Sequence, residues 1–198
     1  DDGKDIEVFG LDEFAARFDW SKVIPVGPIF DLAKLDWLNG VYIRSLSVPE
    51  LADRLRPFLV ADGLDMSDQA RLEGFTELIQ PRLVHLTDAA DQLCPFYTAS
   101  ADLVVDDDAR ASLNEDTPAV LTAAIAALEE LPDWEKTEIE TALRAAVVDG
   151  LAIKPRFAFG PLRVALSGRR VSPPLFESMA LMGREATLER LQRLLASL

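Results

Sequence analysis

The chain has 198 residues, 49% hydrophobic and 27% charged, with a formal net charge of −14, which allows one large or two small cored domains and excludes a disordered chain. No apolar run approaches the roughly 18 residues of a membrane span, and the single cysteine, Cys94, excludes an internal disulfide. The absence of a basic-then-apolar leader at the start sets the expectation of a cytoplasmic protein, and the opening at Asp1 without Met that of a fragment cut from something longer.

Helical signals run almost throughout. Leu11, Phe14, Ala15 and Phe18 share one face of LDEFAARF. The prolines and Gly27 of DWSKVIPVGPIFD keep that stretch extended or turned. Asp31 is the expected cap of a helix with Leu35, Leu38 and Tyr42 inward. Ser47 and Glu50 form a capping box before a stripe of Leu51, Leu55, Phe58 and Leu59. Ser67 is the expected cap of the next helix, carrying Leu72, Phe75, Leu78 and Ile79 and ending at Pro81. Thr87 is another expected cap, and Val104–Asp108 reads as a boundary loop.

The second half repeats the style. Thr117-Pro118 reads as cap and first-turn proline of a helix bearing Leu121, Ile125 and Leu128. Asp133 is expected to open a helix that stops at Gly150. Pro161, Ser172-Pro173 and the leucines 188, 191, 194 and 195 mark three more. No alternating run is long enough for a sheet core. The predicted fold is all-α, in two small helical bundles divided near residues 100–110.

Charge is split along the chain. Residues 1–150 carry 12 Lys and Arg against 31 Asp and Glu, a balance of −19, whereas residues 151–198 carry 8 against 3, a balance of +5. The acidic body opposes nonspecific nucleic-acid binding, and the basic tail fits a few placed anion contacts. Known catalytic patterns are missing. One His and one Cys make no zinc site. No phosphate-binding glycine loop and no nucleophile elbow occur. The acidic runs Glu129-Glu130 and Asp106–Asp108 read as solvated surface, and His85 as ordinary surface or partial core.

Three segments resemble one family. FDLAKLDWLNGVYIR (Phe30–Arg44) is similar to the segment that follows the catalytic region of bacterial glutamyl-tRNA synthetases, and PLRVALSGRRVSPPLFESMALMGRE (Pro161–Glu185) to their C-terminal signature. LIQPRL (Leu78–Leu83) stands where the family carries a Pro-Arg pair. The HIGH-like and KMSKS-like motifs of the catalytic half are absent. The resemblance therefore implies the tRNA-binding part: residues 1–46 as the end of a stem-contact region, 47–104 and 105–198 as two anticodon-binding bundles. It implies tRNA(Glu), anticodon loop and stem, as the partner of a monomer, with no DNA and no membrane partner. It implies ATP and Mg2+ for the catalytic half, no cofactor or metal in this chain, and no activity of this chain alone.

The RNA-binding residues it implies are Arg82, Arg163, Ser172, Pro173 and Leu175, with Arg82 at the position of an anticodon-reading arginine. The chemistry agrees, because single-stranded loops are read by arginine forks and apolar platforms. Each residue also has a plain structural reading. Arg163 can cap its helix or pair with an acid, Leu175 can be core, and Arg82 can serve a helix dipole. Arg169 and Arg170 read most simply as solvated, and Trp37, Asn39 and Tyr42 as structural. The alternative from another class is an acidic helical protein–protein adaptor, and a complete small enzyme is a third.

Overall fold

The computed structural model describes residues 8–198 apart from Pro25 and Pro28. Among these all regular structure is helical, as the periodicity predicts. α1 (Leu11–Arg17) buries nothing; its rings pack on each other, with Phe14 5.8 Å from Phe9 and 5.4 Å from Phe18 between centres. α2 (Leu32–Ser45) is capped by Asp31 as expected, whose carboxylate accepts the Lys34 N–H at 3.1 Å. Its inward face differs from the expected one: Leu35 and Tyr42 are exposed, and Gly40 and Ile43 are buried. The reason is its neighbour. α2 packs on the 3-10 turn Gln80–Arg82 rather than on an apolar stripe, so the residue without a side chain faces in. A Cβ at Gly40 would lie 3.4 Å from the Leu83 carbonyl oxygen. Gln80 then ties the end of α2, donating to the carbonyls of Ile43 (3.1 Å) and Leu46 (2.8 Å).

α3 (Val48–Ala61), α4 (Gln69–Ile79) and α5 (Asp88–Tyr97) pack together. Ser47 accepts the Glu50 N–H at 3.4 Å, but the Glu50 carboxylate pairs with Arg54 at 2.8 Å instead of completing the capping box. Asp68 caps α4 in place of Ser67, accepting the Arg71 N–H at 3.0 Å, while the Ser67 N–H donates to Asp65. Thr87 makes no side-chain cap bond, and Asp88 accepts the His85 N–H at 2.8 Å. The stripes Leu51, Leu55, Leu59, Leu72, Phe75, Ile79 and Leu93 are buried, each worth about 1.5–3 kcal/mol. Phe58, expected inward, is partly exposed.

The rest forms a second group: α6 (Asp107–Ala111), α7 (Thr117–Glu129), α8 (Lys136–Leu143), α9 (Pro155–Ala158), α10 (Gly160–Ser167), α11 (Leu175–Met182) and α12 (Arg184–Ala196). α6 begins at Asp107, within the expected loop, and buries Ala109 just beyond it. Thr117 is the first helical residue rather than a cap; its hydroxyl accepts the Asn114 N–H at 3.0 Å. α8 starts after Asp133 and continues as a π-helical turn, Arg144–Asp149. Arg184 closes the far end of α7, donating to the carbonyls of Leu128 (3.2 Å), Glu129 (3.3 Å) and Leu131.

The two groups meet where α4 touches α11 and α5 touches α10, and one continuous hydrophobic cluster runs through both. A buried arginine fastens the junction. Arg190 of α12 is 3% exposed and donates to Leu166 of α10 and to the Thr98 carbonyl, 2.6 Å away at the end of α5. Burial, then the nearby Arg71, pushes its pKa down to about 10, so it stays charged at neutral pH. Within the second group a backbone tie holds the end of α10 to the start of α6. Gly168 adopts φ +69°, and its carbonyl accepts the Asp106 N–H at 2.9 Å. A Cβ there would stand 2.1 Å from the Val104 carbonyl oxygen, so both the conformation and the approach require glycine. No helix among the described residues is long and apolar enough to cross a membrane.

Candidate functional site

Gly168 ends α10 and launches Arg169–Pro174, the loop on which the candidate residues converge. Arg82 arrives from the turn that Pro81 imposes after α4, and Arg163 from the first turns of α10. Both guanidinium groups reach the same loop backbone. Arg82 Nη1 donates to the Ser172 carbonyl at 3.2 Å. Arg163 Nη1 donates to Ser172 Oγ and to the Pro173 carbonyl, both at 3.1 Å. Four of the five expected residues, Arg82, Arg163, Ser172 and Pro173, therefore stand together. Arg82 is exposed, Arg163 and Ser172 are half-buried, and Pro173 is buried. Leu175 is 3% exposed, so its side chain serves packing in this structure rather than presenting a surface.

The electrostatics of the pair are unusual for an acidic protein. Among the described residues neither Arg82 nor Arg163 forms a salt bridge, whereas Arg169 pairs with Asp91 (3.0 Å) and Asp106 (3.9 Å) and Arg170 with Asp108 (3.9 Å). Arg169 and Arg170 are thus paired, not simply solvated. Burial lowers the pKa of Arg163, and the adjacent Arg82 lowers it further, with Glu177 opposing them in part. Two like charges are held together with most of their donors unspent. An anion placed between them relieves the repulsion and completes the hydrogen bonding.

Arg82 also borders a cavity of about 490 Å³ that reaches from α5 to the loop, with Asp91, Pro95, Arg169 and Ser172 on its walls. A second cavity, of about 940 Å³, lies on the other side of Arg163, against α9. Of the residues read as structural, Asn39 donates to the Val84 carbonyl and Tyr42 Oη to the Phe9 carbonyl at 3.1 Å, whereas Trp37 is exposed. His85 is exposed and pairs with Asp36 at 3.1 Å. No cluster of three His, Cys, Asp or Glu capable of holding a metal ion occurs among the described residues.

A glutamate tRNA ligase from Elizabethkingia meningosepticum has the same fold: the TM-score is 0.86 at 21% identity, over 98% of this chain and 38% of that one. A glutamate–tRNA synthetase from Elizabethkingia anophelis gives 0.83 at 20% identity, over 96% and 37%. The architecture is therefore that of a helical region of aminoacyl-tRNA ligases. Among sequence relatives, the glutamate–tRNA ligase of Acidothermus cellulolyticus is 51% identical over 193 residues, 94% of this chain and 38% of that protein. That of Kineococcus radiotolerans is 43% identical over 200 residues, 98% and 40%. The family model described as Anticodon binding domain matches residues 50–195, and the chain belongs to that family. The resemblance carried by Phe30–Arg44 and Pro161–Glu185 holds, and the adaptor alternative finds no support in these matches. The chain spans about two fifths of the length of the relatives it matches.

Proposed function

We propose that this chain binds tRNA(Glu) through its anticodon loop and stem and positions it for a glutamate–tRNA ligase, acting as a monomer in the cytoplasm. The carrying observation is the Arg82–Arg163 pair: two guanidinium groups, from the two helical groups, meet on the Ser172-Pro173 backbone, and among the described residues neither forms a salt bridge. An RNA loop offers both the phosphates and the base edges that such forks take. In this reading Arg82 contacts the third anticodon base, Arg163 holds the same loop, Ser172 and Pro173 shape its seat, and Leu175 supports that seat through its packing. Residues 1–46 close a stem-contact region, and 47–104 and 105–198 are the two anticodon-binding bundles. ATP and Mg2+ belong to the catalytic half, so this chain alone forms no glutamyl-adenylate.

The experiment is Arg82→Gln, titrated with tRNA(Glu) transcripts carrying C or G as the third anticodon base. An arginine that reads the base gives a selective loss on one transcript, on the order of 1–3 kcal/mol. An arginine on phosphate weakens both equally and lowers the salt slope by about one. No change on either transcript rejects Arg82 as an RNA contact.

A further inference from the structure

The 940 Å³ cavity beyond Arg163 has a composition that the Arg82 site does not use. Phe157 of α9 borders it and is 54% exposed, the most exposed aromatic ring after residue 42 among the described residues. Val171, 79% exposed, borders it too. The rest of the wall is mixed: Phe159, Pro161 and Val164 add apolar surface, and Arg156, Arg163 and Arg170 stand against the single carboxylate of Asp108. The Arg156 guanidinium stands 5.9 Å from the centre of the Phe157 ring, and among the described residues Arg156 makes no salt bridge. A phenyl ring in water gains from being covered, and a flat aromatic partner adds stacking to the burial. Arg170 is paired with Asp108, which leaves an exposed ring beside Arg156 and Arg163, and that combination matches an unstacked base with its phosphate. The cavity falls in the range of about 300–1,000 Å³ usual for small-ligand sites, ample for one nucleotide. It shares Arg163 with the rim and Arg170 with the 490 Å³ cavity, so the two cavities adjoin across the Arg82–Arg163 rim.

We propose that Phe157 and Arg156 form a stacking site for one unpaired nucleotide flanking the stretch held by Arg82 and Arg163. The inference rests on the tRNA reading above. It assigns the ring to the base and Arg156 to the adjoining phosphate.

The test titrates the 198-residue chain with an anticodon stem-loop hairpin, replacing each loop nucleotide in turn by an abasic residue. Phe157→Ala weakens binding about tenfold, as loss of one stacked base does, and leaves the salt slope unchanged. Phe157→Trp binds at least as tightly as wild type. Arg156→Gln lowers the salt slope by about 0.7, the value for one single-stranded phosphate. At one loop position the abasic loss and the Phe157→Ala loss do not add, because each removes the same contact. Thermal unfolding of the variants matches wild type, since the ring is outside the core. Phe157→Ala within twofold of wild type, or additivity at every loop position, overturns the stacking site alone. Failure of the wild-type chain to bind the hairpin overturns the tRNA reading, and this site with it.

Discussion

Alanine at Gly168 should destabilise the protein about three times as much as alanine at Gly63. Both residues have positive φ, +69° and +80°. Gly63 follows α3 in a Schellman turn, with Gly63 N–H to the Val60 carbonyl (2.9 Å) and Leu64 N–H to the Leu59 carbonyl (3.1 Å). Nothing lies within 4 Å of a Cβ added there, so Gly63→Ala carries only the backbone term, about 1 kcal/mol. At Gly168 the added Cβ stands 2.1 Å from a backbone oxygen, that of Val104, which has no flexible side chain to yield. Moving Val104 aside loosens the Asp106 N–H bond to Gly168, worth about 1 kcal/mol. Strain, clash and lost bond together give about 3 kcal/mol. At about 2–4 °C per kcal/mol for a chain of this size, Tm falls about 6–12 °C for Gly168→Ala and about 2–4 °C for Gly63→Ala. Thermal unfolding followed by circular dichroism at 222 nm reads both. Equal falls would refute the close approach of α10's end to Val104, and with it the account of how the Arg169–Pro174 loop is held.

Arg190→Met removes a buried cation that donates to two carbonyls across the helical groups, and leaves the Leu166 and Thr98 carbonyls unpaired there; denaturant unfolding should show a loss of about 1–3 kcal/mol. Tyr97→Phe should be neutral or stabilising at pH 7, by up to about 1 kcal/mol, because the Tyr97 hydroxyl is buried without a hydrogen-bond partner. The same residue sets an alkaline dependence. Burial pushes its pKa up to about 12 from 10.0, partly offset by Arg71. Below pH 10 both states keep the proton; between pH 10 and about 12 the unfolded chain releases it and the folded chain does not, so stability falls as pH rises. Denaturant midpoints across that window should fall less steeply for Tyr97→Phe than for wild type. Asp68→Ala removes the cap of α4 and should lower stability by about 1 kcal/mol, whereas Ser67→Ala should change it by less than about 0.5 kcal/mol.

Local physics made much of this fold legible. The stripe Leu51, Leu55 and Leu59 follows the helical period, and Asp31 and Ser47 cap where their short side chains reach back to a free N–H. The misreadings have tertiary causes. The α2 face was obscured because its partner is a turn, so a glycine and not a leucine points inward. Ser67 lost its cap to Asp68, one residue on, since its hydroxyl as well as its N–H is turned back to Asp65. Arg82 and Arg163 were readable as candidates by their motifs. Their meeting was not, because Arg82 joins Ser172 across 90 positions of sequence. Leu175 followed its apolar chemistry into the core. Arg190 was missed because charge argues for solvent, yet it shares the face of Thr187, Leu191 and Leu194, all buried, and that spacing carried the signal. Phe157 gave no periodic signal at all, since α9 is one turn long.

The central claim is that an acidic chain binds one RNA loop through a small unpaired basic rim. Its most direct measurement is a titration of the wild-type chain with tRNA(Glu) at two salt concentrations, beside the same tRNA with its anticodon loop sequence changed. The account predicts saturable binding that weakens with salt by a slope of only a few phosphates, and weaker binding to the altered loop. No binding at the lower salt, or equal binding to both RNAs, would contradict it.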